Sequence, residues 1–364
     1  MLGPNAEEMT ARARADLRIG APVAVVAGDL GGIAVSAEMI SAERLEALRS
    51  ASEMLDLVIT ARRAETLKAR AYDGNIARLV LEPEMTFERV HAISDPAFAL
   101  SNPLMGPFPS RREGDAAAQR MAVRLTRAAR LLPSVVFASL PAEKVRELAR
   151  ENTLTLIDDA IMAKADDMAL ELARVSSARV PLAVSEDARV HVFRPNNGDE
   201  EHYAIEIGRP DRSKPVLSRL HSACFTGDLI GSLKCDCGPQ LRAALDQIAK
   251  SGSGVLLYLN QEGRGIGLAN KMRAYSLQDQ GYDTVEANHR LGFEDDERDF
   301  RIGAKILKSL GFSSVHLMTN NPGKVAGMNA AGVHVETRAP LIVGENAHNV
   351  EYLKTKAAKS GHLL

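Results

Sequence analysis

PQLRAALDQIAKSGSGVLLYL, residues Pro239 to Leu259, decides the fold class. Its first twelve residues have helical spacing, with Pro239 near the start, where a missing backbone N–H costs nothing. GVLLYL then reads as a short, fully buried strand. Downstream the same alternation continues. NKMRAYSLQDQG predicts a helix ending at Gly281, and FRIGAKILKSLG, SSVHLMTNN and GKVAGMNAAGV predict helix, strand and helix. VHVETRAPLIV ends the sheet. Upstream, ARVHVFRP and HYAIEIG flank the turn signal PNNGDE and predict a hairpin. Strands alternating with helices predict an α/β domain of three layers, with helices on both faces of a mixed sheet.

The first half is rich in alanine and arginine. Pro22 to Val26 and Leu55 to Thr60 read as strands, each followed by charged helical sequence. Between Ala116 and Ile157, AAAQRMAVRLTRAARLL reads as a helix, VVFASL as a buried strand, PAEKVRELARENT as a Pro-started helix and LTLI as another strand. Around Ala163 to Arg179 the helical pattern runs out in the polar stretch RVSSARV, taken as the domain junction. Two domains are expected, 1–174 and 175–364.

Composition narrows the class. Apolar residues make up 45% and charged residues 25%, which fits globular domains rather than disorder. Lys plus Arg (45) nearly balance Asp plus Glu (47), so no global field favours nucleic acid or membrane. No apolar run approaches the roughly 20 residues that span a bilayer. The N-terminal stretch MLGPNAEEMTARARADLRIG has no apolar core of a secretory signal. An odd number of cysteines fits a reducing cytoplasm better than a disulfide framework.

All three cysteines fall within CFTGDLIGSLKCDC, Cys224 to Cys237. Thiolates at about 2.3 Å are good zinc ligands, and three leave a tetrahedral ion one open position, as catalytic zinc requires. A zinc-bound water has its pKa lowered to about 7, which makes hydroxide available at neutral pH. The alternative is a structural ion with a distant fourth ligand such as His221 or His289. Directly after GVLLYL comes Gln261-Glu-Gly-Arg-Gly-Ile-Gly267, whose glycines let backbone N–H groups approach a ligand or simply form a tight turn. No Gly-Lys-Ser/Thr follows, so it is not a P-loop. Glu262 offers an acceptor suited to the N–H edge of a guanine, and Arg264 a fork suited to phosphate or a ring carbonyl. Taken alone, EDDERD (294–299) reads as a solvated helix start. TNNPGK (319–324) follows a strand and opens a helix, a placement that favours an anion, with Lys324 as a point charge.

In order, RLHSACFTGDLIGSLKCDCGPQL, QEGRGIGL, NKMRAYSLQDQGYDTVEANHRLGF, DERDF, TNNPGKV and the terminal GHLL resemble GTP cyclohydrolase II of riboflavin biosynthesis. The resemblance covers about 216–364 and continues more weakly from about 175. It implies one zinc per subunit on Cys224, Cys235 and Cys237. It implies that GTP is held by Arg219, Leu220, His221, Ser222, Gln240, Glu262, Gly263, Arg264, Thr284, Thr319 and Lys324. Asp296 and Arg298 match the family's proton acceptor and nucleophile, and Tyr275 a tyrosine near the reacting base. The implied reaction opens the imidazole ring, releases C8 as formate, expels pyrophosphate and leaves 2,5-diamino-6-(5-phosphoribosylamino)pyrimidin-4(3H)-one. Magnesium accompanies the triphosphate, and a cytoplasmic homodimer is implied. A strongly basic guanidinium is a poor nucleophile unless a base such as Asp296 activates it, so stabilising phosphoryl charge is the safer role for Arg298. Two positions depart from the pattern: Ala223 stands where many members carry Glu, and Asn260 where many carry Arg.

The first half resembles 3,4-dihydroxy-2-butanone 4-phosphate synthase through ADLRIGAPVAVV, SAEMISAERLEALRS, LDLVITARRAETL and VRELARENTLTLID. The expected acidic run after the first strand is replaced by AGDLGGI (27–33). The expected G-H-T-E-A element is replaced by Gly114-Asp115-Ala116-Ala117-Ala118. Alanine can neither bind magnesium nor move protons, which implies a degenerate domain. Two other readings stay open on sequence: a paralogue with an altered product or pathway, and a non-catalytic, zinc-stabilised nucleotide-binding regulator.

Overall fold

The structure, a computed structural model, describes residues 2–98, 105–167 and 170–350. The terminal GHLL lies outside these residues. The chain divides into two compact units. Residues 1–169 and 266–295 form the first, and 170–265 with 296–364 the second.

In the first unit, Asn5 and Glu8 form a capping box that starts α1 (Ala6–Arg18). There follow β1 (Val23–Ala27), β2 (Leu30–Ser36), α2 (Ala42–Ala51), β3 (Leu55–Thr60), α3 (Ala61–Thr66), β4 (Ile76–Val80), α4 (Phe87–Ser94), α5 (Ala117–Ala128), β5 (Ser134–Pro141), α6 (Ala142–Glu151), β6 (Thr155–Asp158) and α7 (Asp159–Asp167). The strands form one sheet in the order β4-β3-β5-β2-β1-β6, antiparallel except for β1 beside β6. VAVVA is buried along its whole length because both faces of the sheet are covered. Ala24 and Val26 join one apolar cluster, and Val23, Val25 and Ala27 the other, as a period of two requires. AGDLGGI forms the β1–β2 hairpin. A Cβ on Gly32 would meet the Phe137 ring at 2.3 Å, so this position serves packing.

In the second unit come β7 (Leu172–Arg179), β8 (Ala188–Pro195), β9 (His202–Ile207), β10 (Val216–Ser222), α8 (Cys237–Lys250) and β11 (Gly254–Leu259). The chain then contributes α9 (Leu268–Asp279) and α10 (Thr284–Leu291) to the first unit. It returns for α11 (Arg301–Ser309), β12 (Ser314–Met318), α12 (Pro322–Ala330) and β13 (His334–Ala339). The sheet order is β13-β12-β10-β11-β9-β8-β7. Pairs from β13 to β11 are parallel, and those from β11 to β7 antiparallel, so the sheet is mixed. GVLLYL sits near the middle. Val255, Leu257 and Leu259 pack with Ile302 and Ile306 of α11, while Leu256 packs with Ala244 and Ile248 of α8. Helices therefore cover both faces.

Two expectations need correction. RVSSARV, read only as a polar domain junction, forms most of the strand β7, paired antiparallel to β8. Its side chains are almost all exposed, so backbone pairing holds it and no apolar pattern announces it. EDDERD does not begin a helix: it is an irregular segment, and α11 starts only at Arg301.

Candidate metal and nucleotide site

The cysteines are gathered by the end of one strand and the start of one helix. β10 stops at Ser222, and the Ala223 N–H donates to the Leu259 carbonyl at 2.7 Å. A single wide turn, Phe225–Leu229, follows Cys224, and Cys237 opens α8. The three Sγ atoms lie within 4.8 Å of one another, Cys224 and Cys235 being 3.7 Å apart. A Cβ on Gly227 would fall 2.6 Å from Cys235 Sγ and 3.2 Å from Cys224 Sγ, so glycine leaves the room the sulfurs occupy. The hydrogen bond with Cys224 pushes the Cys235 thiol pKa up, with burial and the Cys224 charge adding to it, a shift that a cation among the thiolates would oppose. Donor type, spacing and cradle all fit zinc.

Asp228 braces this loop. Its carboxylate accepts from the Cys224 N–H (3.0 Å), from the Tyr258 hydroxyl (3.0 Å) and from His221 Nε2 (3.0 Å). The His221 ring stacks on Tyr258, with centroids 5.6 Å apart. His221 is thus engaged with a carboxylate by one ring nitrogen, while its buried Nδ1 has no partner among the described residues. His289, the other candidate fourth ligand, pairs with Asp295 at 2.8 Å.

Beside the sulfurs the second unit buries two cations, Arg219 and Lys324, and half-buries a third, Arg298. Arg219 on β10 donates to the Met318 carbonyl (3.0 Å) and to Gln240 Oε1 (2.5 Å), and its buried Nε has no partner among the described residues. Burial lowers its pKa to about 10, with the Cys237 and Asp236 charges working against that shift. Gln240 itself donates to Asp236. Lys324 stands in the first turn of α12, capped by Asn321, and donates to the Leu220 carbonyl at 2.7 Å. Burial holds its pKa well below the usual lysine value, reinforced by Arg298 and Arg219. Leu220 supplies only that carbonyl, since its side chain belongs to the core. Arg298 forks onto Asp296 (2.7 and 2.5 Å) and reaches Ser222 Oγ at 3.3 Å. Burial alone would raise the Asp296 pKa, but Arg298 outweighs it and holds the carboxyl below its usual range. Arg298 and Lys324 both lie over the Phe300 ring, at 5.1 and 5.7 Å. Thr319 is buried and accepts from the Asn321 N–H at 3.0 Å, shaping the turn into α12.

QEGRGIG forms a tight left-handed turn. Gly263 and Arg264 have φ of +63° and +61°, and a Cβ on Gly265 would meet the Glu297 carbonyl at 2.8 Å. The Glu262 oxygens accept from the Phe225 N–H (2.6 Å) and from its neighbour Gly263 (2.9 Å). That carboxylate therefore ties the glycine loop to the residue after Cys224. The Arg264 charge helps to keep Asp296 ionised.

A family model described as GTP cyclohydrolase II matches residues 173–340. A GTP cyclohydrolase-2 of Azospirillum brasilense is 43% identical over 97% of this chain and 93% of its own length. The chain belongs to the GTP cyclohydrolase II family. A GTP cyclohydrolase-2 of Cronobacter sakazakii is 54% identical over 54% of this chain and 98% of its own. A solved two-domain 3,4-dihydroxy-2-butanone 4-phosphate synthase from A. baumannii aligns with 92% of this chain and 99% of that chain at 17% identity and a TM-score of 0.35. That last likeness is too low to support an argument.

Within the family frame, the remaining sequence-derived residues separate by unit. Tyr275 on α9 and Thr284, first in α10, belong to the first compact unit, whereas all the others lie in the second. Lys271 Nζ sits 5.6 Å from the Tyr275 ring centroid, and Gln278 donates to Thr284 Oγ1 at 3.2 Å. Asn260, at one of the two departures, donates its backbone N–H to His202 Nδ1 (3.0 Å) and its side-chain amide to the Glu201 carbonyl. It locks the start of β9 instead of presenting a charge. Asp228, Tyr258 and Phe300 escaped the sequence reading, although Asp228 lies inside the cysteine stretch.

Proposed function

We propose that this chain is a working GTP cyclohydrolase II: it opens the imidazole ring of GTP, releases C8 as formate and expels pyrophosphate. The product is 2,5-diamino-6-(5-phosphoribosylamino)pyrimidin-4(3H)-one, the first intermediate on the way to riboflavin. The single observation that carries this reading is a three-cysteine cluster beside buried Arg219 and Lys324 and half-buried Arg298. Cys224, Cys235 and Cys237 would hold one zinc per subunit, and the ion would supply Lewis-acid activation of water for attack on a carbon.

The chain's own groups do the rest. Arg219, Lys324 and Arg298 bind the triphosphate with its magnesium. A buried, incompletely paired guanidinium and a lysine held below its usual pKa both gain from a polyanion. Arg298 stabilises charge developing on the phosphoryl oxygens, and Asp296 orients it through the fork. With its pKa depressed, Asp296 is a weak proton acceptor, so orientation is its larger contribution. The alternatives on Arg298 converge: a nucleophile and an electrostatic stabiliser both need the fork. Glu262 and Gly263 shape the loop, Arg264 adds positive charge, and Ser222, Gln240, His221 and Thr319 hold the cations and turns in place. Tyr275 and Thr284 contact the base.

Residues 175–364 form the cyclohydrolase domain. Residues 1–174 form a degenerate synthase-like domain that makes no butanone phosphate from ribulose 5-phosphate. The active form is a homodimer in the cytoplasm, whose reducing conditions keep the thiols available. Exposed Phe225, Leu229, Ile230 and Leu233 beside the cysteines support an interface. Among the described residues no helix is long and apolar enough to cross a membrane.

The test incubates zinc-loaded protein with GTP and magnesium and quantifies formate, pyrophosphate and the pyrimidine together. Equal formate and pyrophosphate with the diaminopyrimidinone support the reading. Pyrophosphate without formate identifies a paralogue with a redirected product. GTP binding with neither product identifies a regulator.

A further inference from the structure

We infer that the first compact unit is the positioning frame of the segment 266–295, and that Arg273 is its principal positioning residue. This rests on the reading above, in which Tyr275 and Thr284 contact the base of GTP. The chain leaves the second unit after Gly265 and returns at Asp296, so both residues fold with the first unit.

The attachment is specific rather than merely apolar. Arg273 on α9 engages three acceptors, one through each guanidinium nitrogen. Nε donates to Asp95 (2.8 Å), Nη2 to Glu38 (2.9 Å) and Nη1 to Asn270 Oδ1 (2.8 Å). The Arg273 side chain is 21% exposed and each acid 15%, so solvent screens the pairs little. Both acids are held in turn: Glu38 accepts the Leu132 N–H at 2.8 Å, and Asp95 the Ala97 N–H at 2.9 Å. Asn270, fully buried, donates to the Arg130 carbonyl at 2.9 Å. These bonds fix α9 beside Tyr275, two residues on.

The far end of α10 is pinned as well. Thr60 donates to the Gly292 carbonyl at 2.9 Å, and Arg63 to the Arg290 carbonyl at 3.3 Å. A Cβ on Gly292, whose φ is +88°, would strike Thr60 Oγ1 at 2.7 Å. Between the two anchorages, Leu277, Leu291 and Phe293 pack with Leu132. Apolar packing would tolerate sliding, whereas directional bonds from all three guanidinium nitrogens to separate acceptors fix a single register. Relatives such as that of Cronobacter sakazakii match only 54% of this chain with 98% of their length, and so are too short to contain this frame. The dependence is particular to the longer chain.

The experiment compares the full-length, zinc-loaded wild type with Arg273→Ala, Arg273→Lys and Asp95→Asn. It reads GTP Kd by calorimetry, KM against kcat, and hydrogen exchange across 266–295. In Arg273→Ala we expect exchange in α9 and α10 to quicken, and KM and Kd for GTP to rise about tenfold, as a displaced contact residue demands. Zinc content stays at the wild-type level. Arg273→Lys, which keeps the charge but not the fork, falls between. Asp95→Asn keeps volume and an acceptor and serves if Arg273→Ala fails to fold; it shows the same direction at smaller size. Faster exchange with unchanged Kd overturns positioning and leaves a structural contact. Unchanged exchange overturns the frame itself. A wild type that binds GTP without releasing formate sinks the proposed function, while the Kd comparison still decides this inference.

Discussion

Gly227 is the residue on which the sulfur cluster turns, because any Cβ there enters the space shared by Cys235 and Cys224. Gly227→Ala should lower zinc affinity about tenfold or more, as lost support around a metal site does. Metal analysis after competition with a chelator checks this; full zinc retention would show that the loop can open. Arg298→Ala should lower kcat for pyrophosphate release about 10²- to 10³-fold, the loss seen when one charge-stabilising donor is removed. Release at the wild-type rate would remove Arg298 from the chemistry. The cysteines were legible in the sequence because their spacing alone carries metal chemistry. Asp228 was not, because its role depends on Cys224, His221 and Tyr258, which converge from a turn and two strands. Likewise the sequence reading made Glu262 a base acceptor, and only folding reveals that both its oxygens accept backbone N–H groups.

At the scale of elements, what the sequence conveyed depended on whether an element is held by its side chains. ARVHVFRP and GVLLYL become β8 and β11 with the expected limits, since burial imposes their patterns. β7 was missed because an exposed edge strand needs only ladder hydrogen bonds. On β9, Glu206 is buried and takes a double bond from Arg212 (2.9 and 2.8 Å), with His191 Nε2 3.5 Å away. Burial alone would raise its pKa, but His191 and Arg212 together hold it below the usual glutamate value. The native state therefore binds fewer protons than the unfolded one between those two values. The stabilisation is complete above the usual value and is lost as pH falls through the folded one. Glu206→Gln should cost about 1–2 kcal/mol at pH 7, towards the lower end because Arg212 is 42% exposed. Urea midpoints of wild type and variant should converge as the medium is acidified. A gap independent of pH would mean that packing, not charge, is lost.

For the whole molecule, the sequence supports an expectation of two domains, 1–174 and 175–364, and carries no sign of the excursion of 266–295 into the first unit. Its residues, NKMRAYSLQDQGYDTVEANHRLGF, carry family motifs, and nothing in their helical pattern says which core they join. That choice is made by partners far away in sequence: Glu38, Asp95, Thr60 and Leu132. Deleting residues 1–169 should therefore also disturb the segment 266–295. Leu277, Leu291 and Phe293 would lose the Leu132 side of their cluster, and Arg273 both of its acids. Uncovering apolar surface costs about 25 cal/mol per Å², and breaking a buried ion pair several kcal/mol more. The fragment beginning at Leu170 should unfold at lower urea, bind a hydrophobic dye and require more GTP for half-saturation, yet still load zinc, since the three cysteines and Asp228 keep their partners in the second unit. A fragment with wild-type stability and KM would mean that α9 and α10 find an equally good core without the first domain. The longer architecture would then be an appendage rather than a frame.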